Sequence, residues 1–358
     1  MVAARLAKLL PLGAATGASL LASRSISRAD ASASSPSIQT HSYSDGHQRG
    51  APRMIIGDPD VFARKMKKFT QDGADQLLVI ADFDRTLTPY YKRKSDPKAP
   101  LEQESSSHGL LMTSSVLNPR VCVGEQELFA KFYPVEMSPT LSEKEKLPFM
   151  EQWWNSAHSL LIEYKVTKEQ VNQAVALGSL SFRQGFHPLF KLLHDHQVPT
   201  LVFSAGLYDV IHAALEQEFA AENKRKGGDV TKRTNDRVFT PSNVHVVSNM
   251  MRFDEKEVIE GFDGKVIHSL NKTAQVLLDS PLWTDSKIKR QNVLLLGDSR
   301  GDVRMCEGLD AEEIIRVGFL NVHVDEALEE YLDLYDVVFT HDASLVPVQM
   351  LVEQIMAV

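Results

Sequence analysis

Cysteine is nearly absent from this 358-residue chain: Cys122 and Cys306 are the only two. They are far apart and show no zinc-type spacing, which argues against a disulfide framework and favours a reducing compartment. No apolar run is long enough to span a membrane. Positive charge is in deficit, with 39 Lys plus Arg against 47 Asp plus Glu and a net charge of −8. A nucleic-acid polymer as main partner is therefore disfavoured, because a phosphate backbone needs a basic footprint. A mononucleotide needs only a few local cations and stays open. The 12 histidines form no ligand cluster in sequence, so no zinc site is expected. No internal repeat is visible.

The N-terminal stretch lacks acids before Asp30 while holding Arg5, Lys8, Arg24, Arg28 and several serines. This composition has three readings: a mitochondrial or plastid transit segment, a secretory signal, or a plain disordered tail. Residues 1–53 are set aside from the fold on any of them.

From Asp58 the pattern is globular. DPDVFARKMKKFTQDG carries apolar residues at helical spacing and stops at Gly73. Short continuous apolar runs follow: LLVIA at 77–81, PTLVFS at 199–204, VHVVS at 244–248, NVLLLG at 292–297 and YDVVFT at 335–340. Such runs mark strands buried on both faces, and the helical patterns between them predict a parallel α/β sheet. The stretch from about Lys92 to Arg183 breaks the alternation. It holds helical patterns only: GEQELFAKFY, SEKEKLPFMEQWWNSAHSLLIEY and KEQVNQAVALG. The expected organisation is an N-terminal segment at 1–53, an α/β core at 54–91 and 184–358, and a helical insertion at 92–183. The polar run at 223–236 reads as a solvated loop.

Ligands of open parallel sheets bind at the carboxyl ends of the strands. There the sequence puts Asp82 and Asp84 after the first run, Ser204, Ala205 and Gly206 after the second, and Asp298 and Asp302 after the fourth. Four clustered carboxylates repel unless a cation sits among them, and all-oxygen ligands suggest Mg²⁺. A metal beside a free aspartate suits phosphoryl transfer, one acid as nucleophile and the next handling protons. Ser204 with the amides of Ala205 and Gly206 is expected to open a helix and bind phosphate, aided by Lys272.

DFDRTLT, FSAGLYDV, Lys272 and LLGDSRGDVRM resemble, in order, the four motifs of the haloacid dehalogenase-like hydrolases. The stretches YPVEMSPTLSEKEKLPFMEQWWNSAHSLL, VVSNMMRFDEKEVIEGF and GKVIHSLNK extend the resemblance to the pyrimidine 5′-nucleotidase family, also called cytosolic 5′-nucleotidase III. It covers residue 58 onwards. It implies a Rossmann-like α/β core with a parallel sheet and a helical cap inserted after the first catalytic strand. It also implies a Mg²⁺-dependent 5′-nucleotidase acting on a nucleoside monophosphate through an aspartyl-phosphate. Asp82 would be the nucleophile and a metal ligand. Asp84 would be the general acid/base, its carbonyl on the metal, and Asp298 a further ligand. Ser204, Ala205 and Lys272 would hold phosphate, Asp302 would support the metal and lysine, and Glu136 would contact the base.

Ala157 and Trp154 resemble the branch acting on 7-methylguanosine monophosphate more than the pyrimidine-preferring members, which carry Ser and Tyr there. Indole is a strong cation–π partner for a methylated, cationic guanine. Trp154 is thus either a base-stacking platform or a core residue; Trp153 is expected to pack, and Trp283 has no assigned role. His158 is read as an interior histidine, with substrate contact as the alternative. Arg85 and Arg300 depart from the family pattern, either strengthening phosphate binding or pairing with surplus carboxylates. A nucleoside phosphotransferase, a phosphatase for another small phosphomonoester and a catalytically silent scaffold remain the competing functions. The expected state is a cytoplasmic monomer, with organellar import as the alternative.

Overall fold

A computed structural model describes residues 8–11, 50–92, 101–178, 180–225, 241–279 and 289–357. Trp283 and most of the polar run at 223–236 lie outside them. So does most of the N-terminal segment, although a strand, β1 (Lys8–Pro11), falls within it.

The core elements follow in chain order: β2 (Arg53–Ile56), α1 (Pro59–Asp72) and β3 (Leu77–Ala81). Asp58 caps α1, accepting from the N–H groups of Asp60 and Val61, and Pro59 enters the first turn. Gly73, at φ +68°, ends it. Four helices follow: α2 (Ser107–Met112), α3 (Pro119–Glu136), α4 (Glu143–Glu163) and α5 (Lys168–Gly178). Ser142 and Glu145 form a reciprocal capping box at the start of α4. The chain continues through α6 (Phe186–Asp195), β4 (Thr200–Leu207), α7 (Tyr208–Arg225), β5 (Val244–Phe253) and β6 (Ile259–Asp263). It closes with α8 (Ala274–Leu278), β7 (Asn292–Gly297), β8 (Glu313–Leu320), α9 (Val324–Leu334), β9 (Val337–Thr340) and α10 (Val346–Met356). No helix among the described residues is long and apolar enough to cross a membrane.

The sheet order is β1-β2-β9-β8-β7-β3-β4-β5-β6. The six strands from β9 to β5 in that order pair in parallel, and β1, β2 and β6 join the two edges antiparallel. The parallel sheet expected from the apolar runs is found, and antiparallel strands extend it at both edges. There β2, β6 and also the interior β8 come from stretches without a recognised run. From β3 the chain builds outward to β4 and β5, then returns to β7 on the other side. The crevice of this topological switch opens beside the carboxyl ends of β3 and β7.

Side chains of β3 alternate between two apolar clusters. Leu77, Val79 and Ala81 face one layer, and Leu78 and Ile80 face the other. The first cluster runs on without a break into the insertion through Leu110, Leu111, Val121, Ala157, Leu161 and Val171. The inserted helices therefore share a core with the sheet.

Arg183, where the insertion returns, is 2% exposed. Its Nε donates to the carbonyl of Thr86 at 2.7 Å, Nη1 to Asp342 at 2.9 Å and to the Ala343 carbonyl at 2.6 Å. Nη2 donates to the Arg85 carbonyl and to Asn321 Oδ1. Asp342 in turn accepts from the N–H groups of Tyr90 and Tyr91. One guanidinium thus fixes the turn after β3, where Arg85 sits at φ +65°, a left-handed conformation costly for a side-chain-bearing residue.

His158 of α4 stacks on Phe262 of β6, with ring centroids 3.6 Å apart, and its Nε2 has no partner among the described residues. Burial and the nearby His108 lower its pKa to about 3. His268, fully buried, is lowered to about 4 by burial. Both are neutral in the native state.

Two outcomes are expected. Arg183→Met should cost about 3–5 kcal/mol, because Asp342 and two turn carbonyls lose their buried partner, as measured by chemical denaturation. The unfolded chain protonates its histidines near pH 6.5, whereas native His158 and His268 resist down to about 3 and 4. Stability should therefore be highest above pH 6.5 and fall as pH drops below it, by up to about 1.4 kcal/mol per unit per site. His158→Phe, which keeps the ring stack, should flatten that fall in a denaturation series from pH 7 to pH 5.

Candidate active site

β3 ends at Ala81, so the next residue emerges at the switch crevice. The Asp82 amide donates to the Leu296 carbonyl of β7 at 2.9 Å, which fixes the level at which its carboxylate stands. That carboxylate is 6% exposed. Lys272, two residues before α8, reaches across to it. Its ammonium donates to Asp82 Oδ1 and to Asp302 Oδ1, each at 2.6 Å, and it is itself 4% exposed.

Asp302 opens the short 3₁₀ turn after β7. Its second oxygen, Oδ2, accepts from the N–H groups of Asp298 and Ser299 at 3.0 and 2.9 Å and from the Ser299 hydroxyl at 2.8 Å. It thereby shapes the loop that carries Asp298. Gly297 is required just before it, since a Cβ there would lie 2.4 Å from that of Asp302. Tyr331 and Tyr335 brace the same loop by donating to the carbonyls of Asp298 and Ser299, each at 2.5 Å.

Oxygens of Asp82, Asp298 and Asp302 lie within 4.8 Å of one another. Set against Lys272 alone, three carboxylates leave two negative charges uncompensated. The titration behaviour reflects this. Burial raises the Asp82 pKa to about 7, with Asp302 and Asp84 adding to the rise and Lys272 opposing it. Asp298 is pushed well above the carboxylate range by burial, then by Asp82 and Asp302. Burial disfavours charge on Lys272, but Asp302 and Asp82 outweigh it and raise its pKa. The oxygens of Asp302 are already engaged, whereas the Asp298 carboxylate accepts no hydrogen bond from the described residues. An all-oxygen set with a surplus of two charges fits a hard divalent cation, with Asp82 and Asp298 as its side-chain ligands.

Asp84 is held differently. The Ser107 amide donates to its Oδ1 and the Ser107 hydroxyl lies against its Oδ2, both at 2.7 Å. Burial raises the Asp84 pKa and the two Ser107 bonds oppose that rise. Ser107 starts α2, the first helix of the insertion. Gly206 makes room for it, because a Cβ at 206 would come within 2.0 Å of the Ser107 hydroxyl. Ser107 was invisible in sequence: it lies in a polar stretch, 23 residues from its partner.

Ser204 is buried, and its hydroxyl accepts from the Gly206 amide at 3.0 Å. The expected helix start at Ser204 is not found. β4 continues to Leu207, with a slip in register against β5 after Phe203, and α7 begins at Tyr208. The helix-opening geometry is therefore replaced by an irregular strand end. Asn249 of β5 stabilises it. Its amide donates to the Ala205 carbonyl at 2.6 Å and to the Ile267 carbonyl at 2.8 Å, while its Oδ1 accepts from the Ile267 amide. One buried side chain thus ties the Ser204 turn to the segment leading to Lys272, and nothing in the sequence pattern singled it out.

Beside this edge lies a cleft of about 110 Å³. Ala205 and Ser269 line it from the core, and Glu136, Trp153, Trp154 and Ala157 from the insertion. Ala205 joins the cleft to the carboxylate edge. Glu136 Oε1 accepts from the Ser269 hydroxyl at 2.8 Å, and Lys146 donates to the Glu136 carbonyl. Trp154 meets His108 edge-on, while Trp153 also packs against Phe129 and Phe132. His158 is interior. Arg85 lies over the Tyr90 ring, and exposed Arg300 pairs with Glu330.

Comparisons with known proteins identify the family of the chain. The model of the pyrimidine 5′-nucleotidase family matches residues 99–226 and 228–356. A 7-methylguanosine phosphate-specific 5′-nucleotidase of Rattus norvegicus is 36% identical over 305 residues, covering 85% of this chain and 92% of that protein. The protein of the same name from Homo sapiens is 35% identical over 286 residues, covering 79% and 86%. The crystal structure of cytosolic 5′-nucleotidase IIIB bound to cytidine superposes with a TM-score of 0.70 at 27% identity, covering 85% of this chain and 94% of that one. With its parallel α/β core and these relatives, the chain belongs to the pyrimidine 5′-nucleotidase family.

Proposed function

We propose that this chain is a Mg²⁺-dependent 5′-nucleotidase that hydrolyses nucleoside 5′-monophosphates to nucleoside and inorganic phosphate through an aspartyl-phosphate on Asp82. The observation that carries the reading is continuity. A carboxylate–lysine edge suited to a phosphate adjoins, through Ala205, an aromatic cleft suited to a base.

Mg²⁺ at Asp82 and Asp298, with the Asp84 carbonyl, would neutralise phosphate charge and the surplus charge of the cluster. Lys272, Ser204 and the Ala205 amide hold the phosphate oxygens. The Asp82 carboxylate attacks phosphorus and the bond to the 5′ oxygen breaks. Asp84 gives that oxygen its proton, and the nucleoside leaves. Asp84, now ionised, takes a proton from water as that water attacks the acyl phosphate. Phosphate departs and Asp82 is restored.

Ser107 suits this double duty. Its hydroxyl donates to ionised Asp84 and accepts from protonated Asp84, while its amide holds the other oxygen throughout. The insertion of residues 92–183 acts as a cap that excludes water and reads the base with Glu136 and Trp154. The relatives named for 7-methylguanosine phosphate and the cytidine-bound neighbour support CMP, UMP and 7-methyl-GMP as the substrates to test. Transfer of the phosphoryl group to a second nucleoside would use the same residues.

The test is phosphate release, with Mg²⁺ and with a chelator, from CMP, UMP, 7-methyl-GMP, GMP, AMP and an aryl phosphate. Chelation should abolish release, and a nucleotide should be preferred. Release from the aryl phosphate alone would defeat the cap assignment. Asp82→Asn should lower kcat by about a thousandfold or more and leave the circular dichroism spectrum intact. Ser107→Ala should lower kcat about tenfold with KM little changed, the split expected when a proton-transferring group is positioned less well.

A further inference from the structure

The cleft contains a second carboxylate that the mechanism above does not use. Glu125 of α3 and His108 of α2 both line it. His108 Nε2 lies 3.0 Å from Glu125 Oε1, and the two side chains are only 14% and 12% exposed. Each retains a buried atom without a hydrogen-bond partner among the described residues: Nδ1 of His108 and Oε2 of Glu125. The His108 ring also meets Trp154 edge-on at 4.9 Å, so carboxylate, imidazole and indole form one packed row.

A buried carboxylate oxygen with no donor is costly, and such an atom beside a cleft points to a donor brought by the ligand. The rest of the lining agrees. Glu136 stands in the same cleft with only its Oε1 engaged, and no lysine or arginine among the described residues lines it. Two carboxylates among indoles form a site rich in acceptors and attractive to cations.

We propose that Glu125, held by His108, is a second base-reading carboxylate that selects, with Glu136, a cationic purine presenting two adjacent N–H donors. The proposal rests on the nucleotidase reading and deepens it. N7-methylated guanine meets both demands: N1–H and the exocyclic amine are neighbours on one edge, and the ring carries positive charge. Cytosine sets its amine beside an acceptor nitrogen, and uracil sets its single N–H between two carbonyls. A pair of carboxylates serves either pyrimidine poorly.

The readout is the ratio of kcat/KM for 7-methyl-GMP to that for CMP, measured on the full chain with Mg²⁺. The wild-type ratio should exceed one. Glu125→Gln, which keeps the shape and removes the charge, should lower it about tenfold. His108→Ala, which removes the holder and leaves the carboxylate, should lower it in the same direction, and it carries the test if Glu125→Gln does not fold. An unchanged ratio in the variants, or equal loss on both nucleotides, would overturn the assignment by showing that Glu125 only packs. So would a wild-type preference for CMP. Absence of phosphate release from either nucleotide by wild type would instead defeat the nucleotidase reading itself, and this proposal with it.

Discussion

The site depends on one buried ammonium shared by two carboxylates. Lys272 bonds Asp82 and Asp302 at 2.6 Å each, and all three side chains are withdrawn from water. Isolated charges could not be buried this way; together they hold each other in place. Lys272 precedes α8, Asp82 follows β3 and Asp302 follows β7, so the triad locks three segments distant in sequence into one edge. It also leaves the edge electron-rich. On the proposed reading, an anionic phosphate would be repelled there until the surplus charge is met, which would make binding of cation and phosphate interdependent.

A second buried cation does the corresponding work for the backbone. Arg183 holds the carbonyls of Arg85 and Thr86, so the turn after Asp84 keeps a left-handed residue that an untethered chain would avoid. It sits where the insertion returns to the core, and its guanidinium lies over the Phe319 ring at 4.5 Å. The two cations act on different parts of the chain. Lys272 sets where the catalytic side chains stand, and Arg183 sets the path of the main chain between them.

Much of this was legible in the sequence because it is encoded locally. LLVIA and NVLLLG are strands with the boundaries read from their apolar runs, and KEQVNQAVALG is a helix end to end. The convergence of Asp82, Asp298 and Asp302 follows from strand order once the sheet is parallel, whereas Lys272 was placed by the family resemblance. What was not legible depends on pairing across distance. β8 carries Arg316 amid its apolar residues and shows no clean run, and β6 is a short edge strand made by its antiparallel neighbour. Ser107, Asn249, Glu125 and Arg183 are ordinary polar residues until the fold gives them partners 17 to 160 residues away. The helix expected at Ser204 failed for a related reason. Asn249 captures the carbonyls that a helix would have used, and the strand runs on.

The insertion touches the edge at points that matter for chemistry. Ser107 holds Asp84, Glu136 bonds Ser269 two residues from Asn271 and three from Lys272, and Glu143 pairs with Arg304 in the turn begun by Asp302. Each contact joins a helix of the insertion to a residue in or beside the carboxylate–lysine cluster. Movement of these helices would therefore disturb the acid/base group together with the surface that meets the base. On the proposed reading, a base that fits the cleft would steady α2 through His108, and Ser107 is the adjacent residue on that helix. If Asp84 is the proton donor, the fit of the base and the placement of that donor would be mechanically one event, and discrimination between bases should appear in the rate of the chemical step as well as in binding.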